Sequence, residues 1–143
     1  MGFTGIANRL KADAAGEERA LVEGLRRHPA SIAPRYFYDR LGCALYAAIC
    51  ELPEYYPTRT ERAIFAGHRE AIARAIGIGS QFVDLGAGDS CKAEGWLPFV
   101  APSRYLAVDA AEDALARSLA RLADAFPEVD VGGVVADFTE GLD

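Results

Sequence analysis

The chain has 143 residues, of which 51% are hydrophobic and 25% charged, and its formal net charge is −6. This length suits one domain with its own hydrophobic core and is too short for two ordinary domains. The acidic balance argues against nucleic-acid binding, which needs clustered Lys and Arg on the protein surface.

Membrane contact and export are not expected either. No apolar run reaches membrane-spanning length, and the first residues lack the apolar stretch of a signal peptide. Three cysteines without CxxC spacing favour a reducing compartment and do not suggest a metal site. We therefore expect a cytoplasmic protein.

The first 79 residues are predicted to be helical. Residues 4–28 place apolar side chains close to a helical period among charges, which predicts one helix with a break near Gly16. Pro29 and Pro34 then interrupt the pattern, because each disfavours helix in the residue before it.

Two further helices are predicted on either side of the segment LPEYYP. Asp39 is a suitable N-cap for a helix over about 40–51, where leucine and isoleucine recur at helical spacing. Thr58 or Thr60 can cap the next helix, which should run to the glycines that begin at Gly77. The proline-bounded segment between the two helices is predicted to be a loop.

From residue 80 onward the pattern changes to alternating strands and helices. The runs FVDL, YLAVDA and VDVGGVVADF are predicted to be buried parallel strands, the last with a bulge at its glycine pair. The segments 91–100 and EDALARSLARLADAF are predicted to be the helices between them. Such alternation is typical of the first half of a doubly wound, Rossmann-like α/β sheet. We divide the chain into a helical region, 1–79, and a partial sheet domain, 80–143.

A nucleotide-type site is predicted where these strands end. Gly86 and Gly88 follow the first strand, where one glycine permits the turn and the other lets a ligand approach the backbone. Asp109 ends the second strand, where a carboxylate can bind both ribose hydroxyls. Asp137 and Phe138 end the third strand, where the acid can accept from an adenine amine and the ring can stack on the base.

Cys91 stands where a dinucleotide-binding fingerprint has its third glycine. That glycine lets the helix approach a pyrophosphate closely, so its replacement disfavours NAD. A ligand with adenosine and no pyrophosphate remains, and S-adenosylmethionine fits this description. The alternative is structural: the turn needs flexible residues, and the aspartates end their strands for solubility.

Several segments together resemble the histidine-specific N-alpha-methyltransferases, the enzymes that begin ergothioneine synthesis. These segments are YFYDRLGCALYAAICELPEYYPTRTE at 36–61, DLGAGDSCK at 84–92, and the strand ends VDA and ADF. The resemblance implies transfer of methyl groups from S-adenosylmethionine to the alpha-amine of L-histidine, with hercynine as the product. It implies no nucleophilic side chain and no metal, because the amine itself displaces the sulfonium methyl.

The resemblance also implies roles for individual residues. Tyr38 of the FYD motif and Tyr55 of the tyrosine pair would help to hold the amine and carboxylate of histidine. Lys92 would reach the methionine carboxylate of the cofactor, a charge-assisted contact. The other cofactor-lining residues that the resemblance implies already belong to the nucleotide-type site: Gly86, Asp109, Asp137 and Phe138.

Residues 52–61, LPEYYPTRTE, are here called the tyrosine segment and are interpreted as a lid over the methyl-transfer centre. Arg59 and Glu61 are expected to pair locally or to support the segment rather than to take part in the chemistry, because PTRTE has to be held in one shape. The stretch AEGWLPFV departs from the family pattern, because Gly95 and Pro98 do not favour a regular helix.

Family members are longer than this chain, and their later part supplies further histidine contacts. In such sheets the first strand is central, so residues 82–85 would here be an unpaired edge, which is an aggregation liability. We therefore expect a truncated chain or one part of an assembly, completed by a homodimer partner or by a C-terminal half. Two alternative functions stay open: a non-catalytic remnant or interaction module of this fold, and a methyltransferase for another small amine.

Overall fold

The computed structural model describes residues 3–10, 14–79 and 81–137. The strands are β1 (Phe3–Asn8), β2 (Gln81–Leu85), β3 (Arg104–Asp109) and β4 (Asp130–Val135). The helices are α1 (Ala14–Arg26), α2 (Arg40–Cys50), α3 (Tyr56–Ile76), α4 (Cys91–Val100) and α5 (Glu112–Ala125), and a short 3-10 helix spans Pro34–Phe37. All strands pair in parallel in the order β1-β4-β3-β2, which confirms the predicted α/β class.

The predicted helix over 4–28 is wrong in its first part, because Phe3–Asn8 form β1. This strand pairs with β4, and the N–H of Arg9 continues the ladder by donating to the Val135 carbonyl at 2.8 Å. Pairing satisfies backbone groups that β4 would otherwise leave open at its edge, and Ile6 packs against the main apolar cluster. The rest of the predicted helix is confirmed by α1, although α1 runs through Gly16 without the expected break.

The bulge expected at the glycine pair of β4 is also wrong. β3 and β4 pair without a break through Gly132 and Gly133, whereas the register shift lies in β1 between Phe3 and Gly5. Gly133 serves close packing instead, since a Cβ there would lie 2.5 Å from Cδ1 of Leu119 on α5.

The N-terminus of α2 is capped as predicted. The side chain of Asp39 accepts a hydrogen bond from the N–H of Gly42 at 2.7 Å. The chain folds so tightly here that a Cβ on Gly42 would lie 1.8 Å from the carbonyl oxygen of Phe37. This turn therefore requires glycine and sets the direction in which α2 leaves the 3-10 helix.

α3 begins at Tyr56, before the predicted caps Thr58 and Thr60. Pro57 suits this first turn, because a residue there needs no backbone N–H donor. The helix ends as predicted before Gly77, whose φ is 84°. α4 runs unbroken over its predicted range although it contains a glycine and a proline.

Two apolar clusters hold these elements together. The larger joins the sheet to α4 and α5, and its fully buried members include Tyr105, Leu115, Leu119, Leu122 and Val131. In the smaller, Phe65 of α3 meets Trp96 of α4 edge to face, with ring centroids 5.1 Å apart. Trp96 is thus a core residue, and its contact fixes α3 and α4 side by side.

Two elements leave large apolar side chains exposed. β2 is an edge strand within the part of the chain that the structure describes, as predicted, and its Val83 and Leu85 are 48% and 51% exposed. No residue of α2 is buried, and its exposed apolar side chains include Leu41, Leu45 and Ile49. Covering such surface stabilises by about 25 cal/mol per Å², so both elements are candidate contact surfaces.

Among residues 3–10, 14–79 and 81–137, no helix is long and apolar enough to cross a membrane. The division into 1–79 and 80–143 stays a prediction, and β1 adds a strand from the first region to the sheet of the second.

Candidate functional site

The glycine turn, residues 86–90, lies at the carboxyl end of β2 and is anchored on β3. The N–H groups of Gly86 and Ala87 both donate to the carbonyl of Val108, at 2.8 and 3.2 Å. Gly86 and Gly88 have φ values of 74° and 55°, a region that glycine occupies without steric cost. Ser90 shares this conformation, with φ of 56°, so the turn folds back sharply before α4 begins.

Asp109 lies beside this turn, as predicted. Its Oδ2 accepts from the N–H of Gly88 at 2.8 Å, and its Oδ1 accepts from the N–H of Ala111 at 2.8 Å. A carboxylate oxygen has two lone pairs, so each oxygen keeps capacity for a ligand hydroxyl. The structure thus brings together Gly86, Gly88 and Asp109.

A buried serine pair supports the glycine turn from behind. The hydroxyls of Ser90 and Ser118 lie 3.1 Å apart, and Ser118 donates to the Leu115 carbonyl at 3.0 Å. Arg121 of α5 adds a second support by donating to the Asp89 carbonyl at 2.8 Å. Our sequence analysis missed these supporting residues, because they come from the outer helix and follow no motif.

Lys92 is the second residue of α4, which begins directly after the glycine turn. Its Nζ is 3.3 Å from Oε1 of Glu61 on α3. This pair joins the tyrosine segment to the first turn of α4, a contact that the sequence did not predict. The cofactor role of Lys92 stays a prediction.

Asp84 is a further acid at this edge that the sequence analysis did not single out. It lies on β2 and accepts a hydrogen bond from the Tyr105 hydroxyl at 3.1 Å. Burial raises the pKa of its carboxyl, while the Tyr105 hydrogen bond and the nearby Lys92 cation oppose this rise. Its place two residues before Gly86 was the available signal.

Asp137 follows β4 and lies opposite the 3-10 helix. Its Oδ2 is 3.7 Å from Nη1 of Arg35, and its side chain is 16% exposed. An acid beside an arginine was not expected, and Arg35 therefore joins the residues around this edge. The proposed contact of Asp137 with adenine stays a prediction, and Phe138 lies outside the described residues.

The tyrosine segment presents Tyr55 next to Tyr46 of α2. Their hydroxyl oxygens are 3.3 Å apart, and the rings meet edge to face with centroids at 6.1 Å. The hydrogen bond with Tyr55, followed by burial, raises the pKa of Tyr46. Across the described side chains no hydrogen bond or ring contact joins Tyr38 to Tyr55, so the two predicted substrate residues are not brought into contact.

Arg59 supports the tyrosine segment, which confirms the expectation of support. Its Nη1 donates to the carbonyls of Leu52 and Tyr55 at 2.8 and 3.4 Å, and its Nη2 donates to the carbonyl of Pro53. Local pairing of Arg59 with Glu61 is not what the structure shows, since Glu61 pairs with Lys92.

Neither cysteine near the site has the properties of an activated thiol. Burial, followed by the carboxylates of Asp109 and Asp39, raises the pKa of Cys43. Burial, followed by Asp89, raises the pKa of Cys91. In the regions described here, no group of His, Cys, Asp or Glu side chains is arranged to hold a metal ion.

Comparisons with a family model and with curated proteins agree on the family that this chain resembles. The model of a family described as histidine-specific, S-adenosylmethionine-dependent methyltransferases matches residues 17–143. Histidine N-alpha-methyltransferases of Mycolicibacterium smegmatis and Mycobacterium tuberculosis are 35% and 32% identical, over 96% of this chain and 44% of each relative. The N-methyltransferase fsqC of Aspergillus fumigatus is 30% identical, over 85% of this chain and 35% of its own length. The chain thus spans less than half the length of these curated relatives.

Proposed function

We propose a function for this chain from the family to which it belongs, the S-adenosylmethionine-dependent, histidine-specific methyltransferases. The chain acts as the N-terminal portion of an enzyme that transfers methyl groups to the alpha-amine of L-histidine and produces hercynine. The observation that carries this proposal is the contact of the glycine turn with Asp109, 2.8 Å from Gly88 N to Oδ2, at the carboxyl edge of the sheet. Ligands of open α/β sheets bind at this edge.

The residues at this edge suit an adenosine cofactor. A Cβ on Gly88 would meet no atom within 4 Å, so the backbone is open to a ligand there. Asp109 keeps lone pairs for the ribose hydroxyls, and Lys92 offers a cation for the methionine carboxylate. Gly86 shapes the turn, while Asp137 and Phe138 would face adenine. S-adenosylmethionine, when bound, supplies an electrophilic methyl group on a sulfonium.

The chain's own part in the reaction is to bind and orient. Methyl transfer to an amine needs a neutral nitrogen, a straight approach to the methyl carbon, and exclusion of water. Tyr55, held by Tyr46 and by the Arg59 clamp on the loop carbonyls, would orient the histidine amine. Tyr38 would contribute from the segment before α2. No side chain of this set acts as a nucleophile.

The exposed apolar surfaces on β2 and α2 support a proposal about assembly. A polypeptide that adds a strand beside β2 would satisfy its open backbone edge and cover Val83 and Leu85. The two candidates are a second copy of this chain and a segment equivalent to the rest of the relatives' length. Three free cysteines agree with the cytoplasm as the proposed compartment.

Two other functions have specific support. The chain is also similar to fsqC, whose name specifies an N-methyltransferase and does not mention histidine. This similarity favours a different small amine as the substrate. A non-catalytic remnant or an interaction module of this fold is the other alternative, and the chain spans 44% of the length of the histidine N-alpha-methyltransferases that it matches. Both alternatives keep the fold and differ from the main proposal in which ligands bind.

The test is calorimetric titration of the chain with S-adenosylhomocysteine, with and without L-histidine. The proposal expects binding of S-adenosylhomocysteine that histidine strengthens. Binding that histidine leaves unchanged would favour another amine. A folded sample that binds neither ligand would favour the remnant.

A further inference from the structure

The ion pair between Lys92 and Glu61 joins the two segments on which the proposed function depends. Glu61 is the last residue of the tyrosine segment, and Lys92 lies two residues after the glycine turn ends. Their charged atoms are 3.3 Å apart. Phe65 and Trp96, each one helical turn further along, make the ring contact at 5.1 Å. The ion pair therefore lies in the seam between α3 and α4.

Both partners of the pair are connected to backbone that ligands would touch. Two residues before Glu61, Arg59 holds the carbonyls of the tyrosine segment. On the other side, the N–H of Gly88 is fixed on Asp109. A change at the ion pair thus reaches the tyrosine segment through α3 and the glycine turn through α4.

The charges around Lys92 make it a shared partner. Its ammonium pairs with Glu61 and also opposes the rise in the pKa of Asp84, so both carboxylates interact with the same cation. The side chains of Lys92 and Glu61 are 56% and 42% exposed, and such pairs contribute little to stability. A ligand carboxylate can therefore displace Glu61 without unfolding the seam.

We propose that Glu61 is a positioning residue that couples cofactor binding to the tyrosine segment, an inference that rests on the proposed function. Without cofactor, the pair with Lys92 tethers the tyrosine segment to α4. When the cofactor carboxylate binds Lys92, Glu61 is released and the segment loses this tether before the substrate amine arrives. Because coupling is reciprocal, the tether weakens cofactor binding by the same factor.

The first test measures affinity for S-adenosylhomocysteine by calorimetry. Glu61→Gln removes the competitor and should tighten binding about two- to fivefold, the range of an exposed ion pair. Glu54→Gln removes the same charge from the same segment and should leave the affinity unchanged. In a Lys92→Met background, Glu61→Gln should have no effect, since the pair is already broken.

The second test measures amide hydrogen exchange of residues 52–61. In the wild-type chain, S-adenosylhomocysteine should speed exchange in this segment; in Glu61→Gln, exchange should already be faster and should not respond to the ligand. If wild type and Glu61→Gln bind S-adenosylhomocysteine with equal affinity, or if Glu54→Gln gains as much affinity as Glu61→Gln, the coupling is overturned and the proposed function is not. A wild-type chain that binds no S-adenosylhomocysteine overturns the proposed function and the coupling with it.

Discussion

The hydroxyl oxygens of Tyr46 and Tyr55 lie 3.3 Å apart, and their rings meet edge to face. Tyr46 belongs to α2, and Tyr55 is the N-cap residue of α3. One side-chain contact therefore joins the two helices on either side of the LPEYYP turn. The tyrosine proposed to bind substrate is held by a side chain of α2, a helix that buries none of its residues.

Tyr46→Phe should weaken histidine binding and leave S-adenosylhomocysteine binding nearly unchanged. The substitution keeps the ring contact and removes the hydrogen-bond partner of Tyr55, a loss of about 1 kcal/mol or roughly fivefold in affinity. Tyr55→Phe should weaken histidine binding further, again with little effect on the cofactor. Calorimetry with each ligand checks this; equal loss of both ligands in Tyr55→Phe would mean that the tyrosine is structural.

Asp109→Asn should destabilise the fold and weaken S-adenosylhomocysteine binding. Asp109 accepts from two backbone N–H groups, at 2.8 Å each, and an asparagine side chain presents its own N–H₂ to one of them. An unsatisfied donor costs about 1–3 kcal/mol, which thermal unfolding monitored by circular dichroism will detect. The matched control is Asp124→Asn, an exposed acid in the last turn of α5, which should cause no loss.

Two glycine-to-alanine substitutions should change stability in opposite directions. A Cβ on Gly42 would lie 1.8 Å from the Phe37 carbonyl oxygen, so Gly42→Ala should destabilise by about 1–3 kcal/mol or prevent folding. A Cβ on Gly67, inside α3, would meet no atom within 4 Å, so Gly67→Ala should stabilise by about 0.5–1 kcal/mol. Chemical denaturation of both variants measures the difference, and similar midpoints for the two would contradict the prediction.

Asp84→Asn should raise the melting temperature at neutral pH. Burial raises the pKa of the Asp84 carboxyl above its unfolded value of 3.8. Because the pKa is raised, the protonated Asp84 carboxyl makes its full contribution to the stability of the fold below pH 3.8. This contribution is lost as the pH rises through the folded pKa. At neutral pH the ionised carboxylate therefore destabilises the fold, whereas an asparagine still accepts from the Tyr105 hydroxyl. The gain in melting temperature should shrink as pH is lowered, and a gain independent of pH would contradict this assignment.

The sheet and the position of Asp109 beside the glycine turn were predictable because their signals are local. Two apolar runs of strand length end in Gly86 and Asp109. They predict the edge of the sheet at which ligands bind, and no knowledge of distant contacts is needed. The amphipathic pattern of α5 likewise identifies its buried face, which includes Leu115 and Leu119. The Asp39 cap could be predicted from the sequence for the same reason, since a cap and its helix are adjacent in the chain.

The amino-acid sequence of residues 36–61 and 80–137 by itself thus determined the α/β class, the positions of most helices and strands, and the contact of the glycine turn with Asp109. Only the tertiary structure decided that Phe3–Asn8 form a strand, because the open edge of β4 outweighs a weak helical period. It also decided that Lys92 pairs with Glu61 and Asp137 with Arg35. Such contacts join residues far apart in sequence, and their partners are chosen by the packing of whole elements rather than by any local pattern.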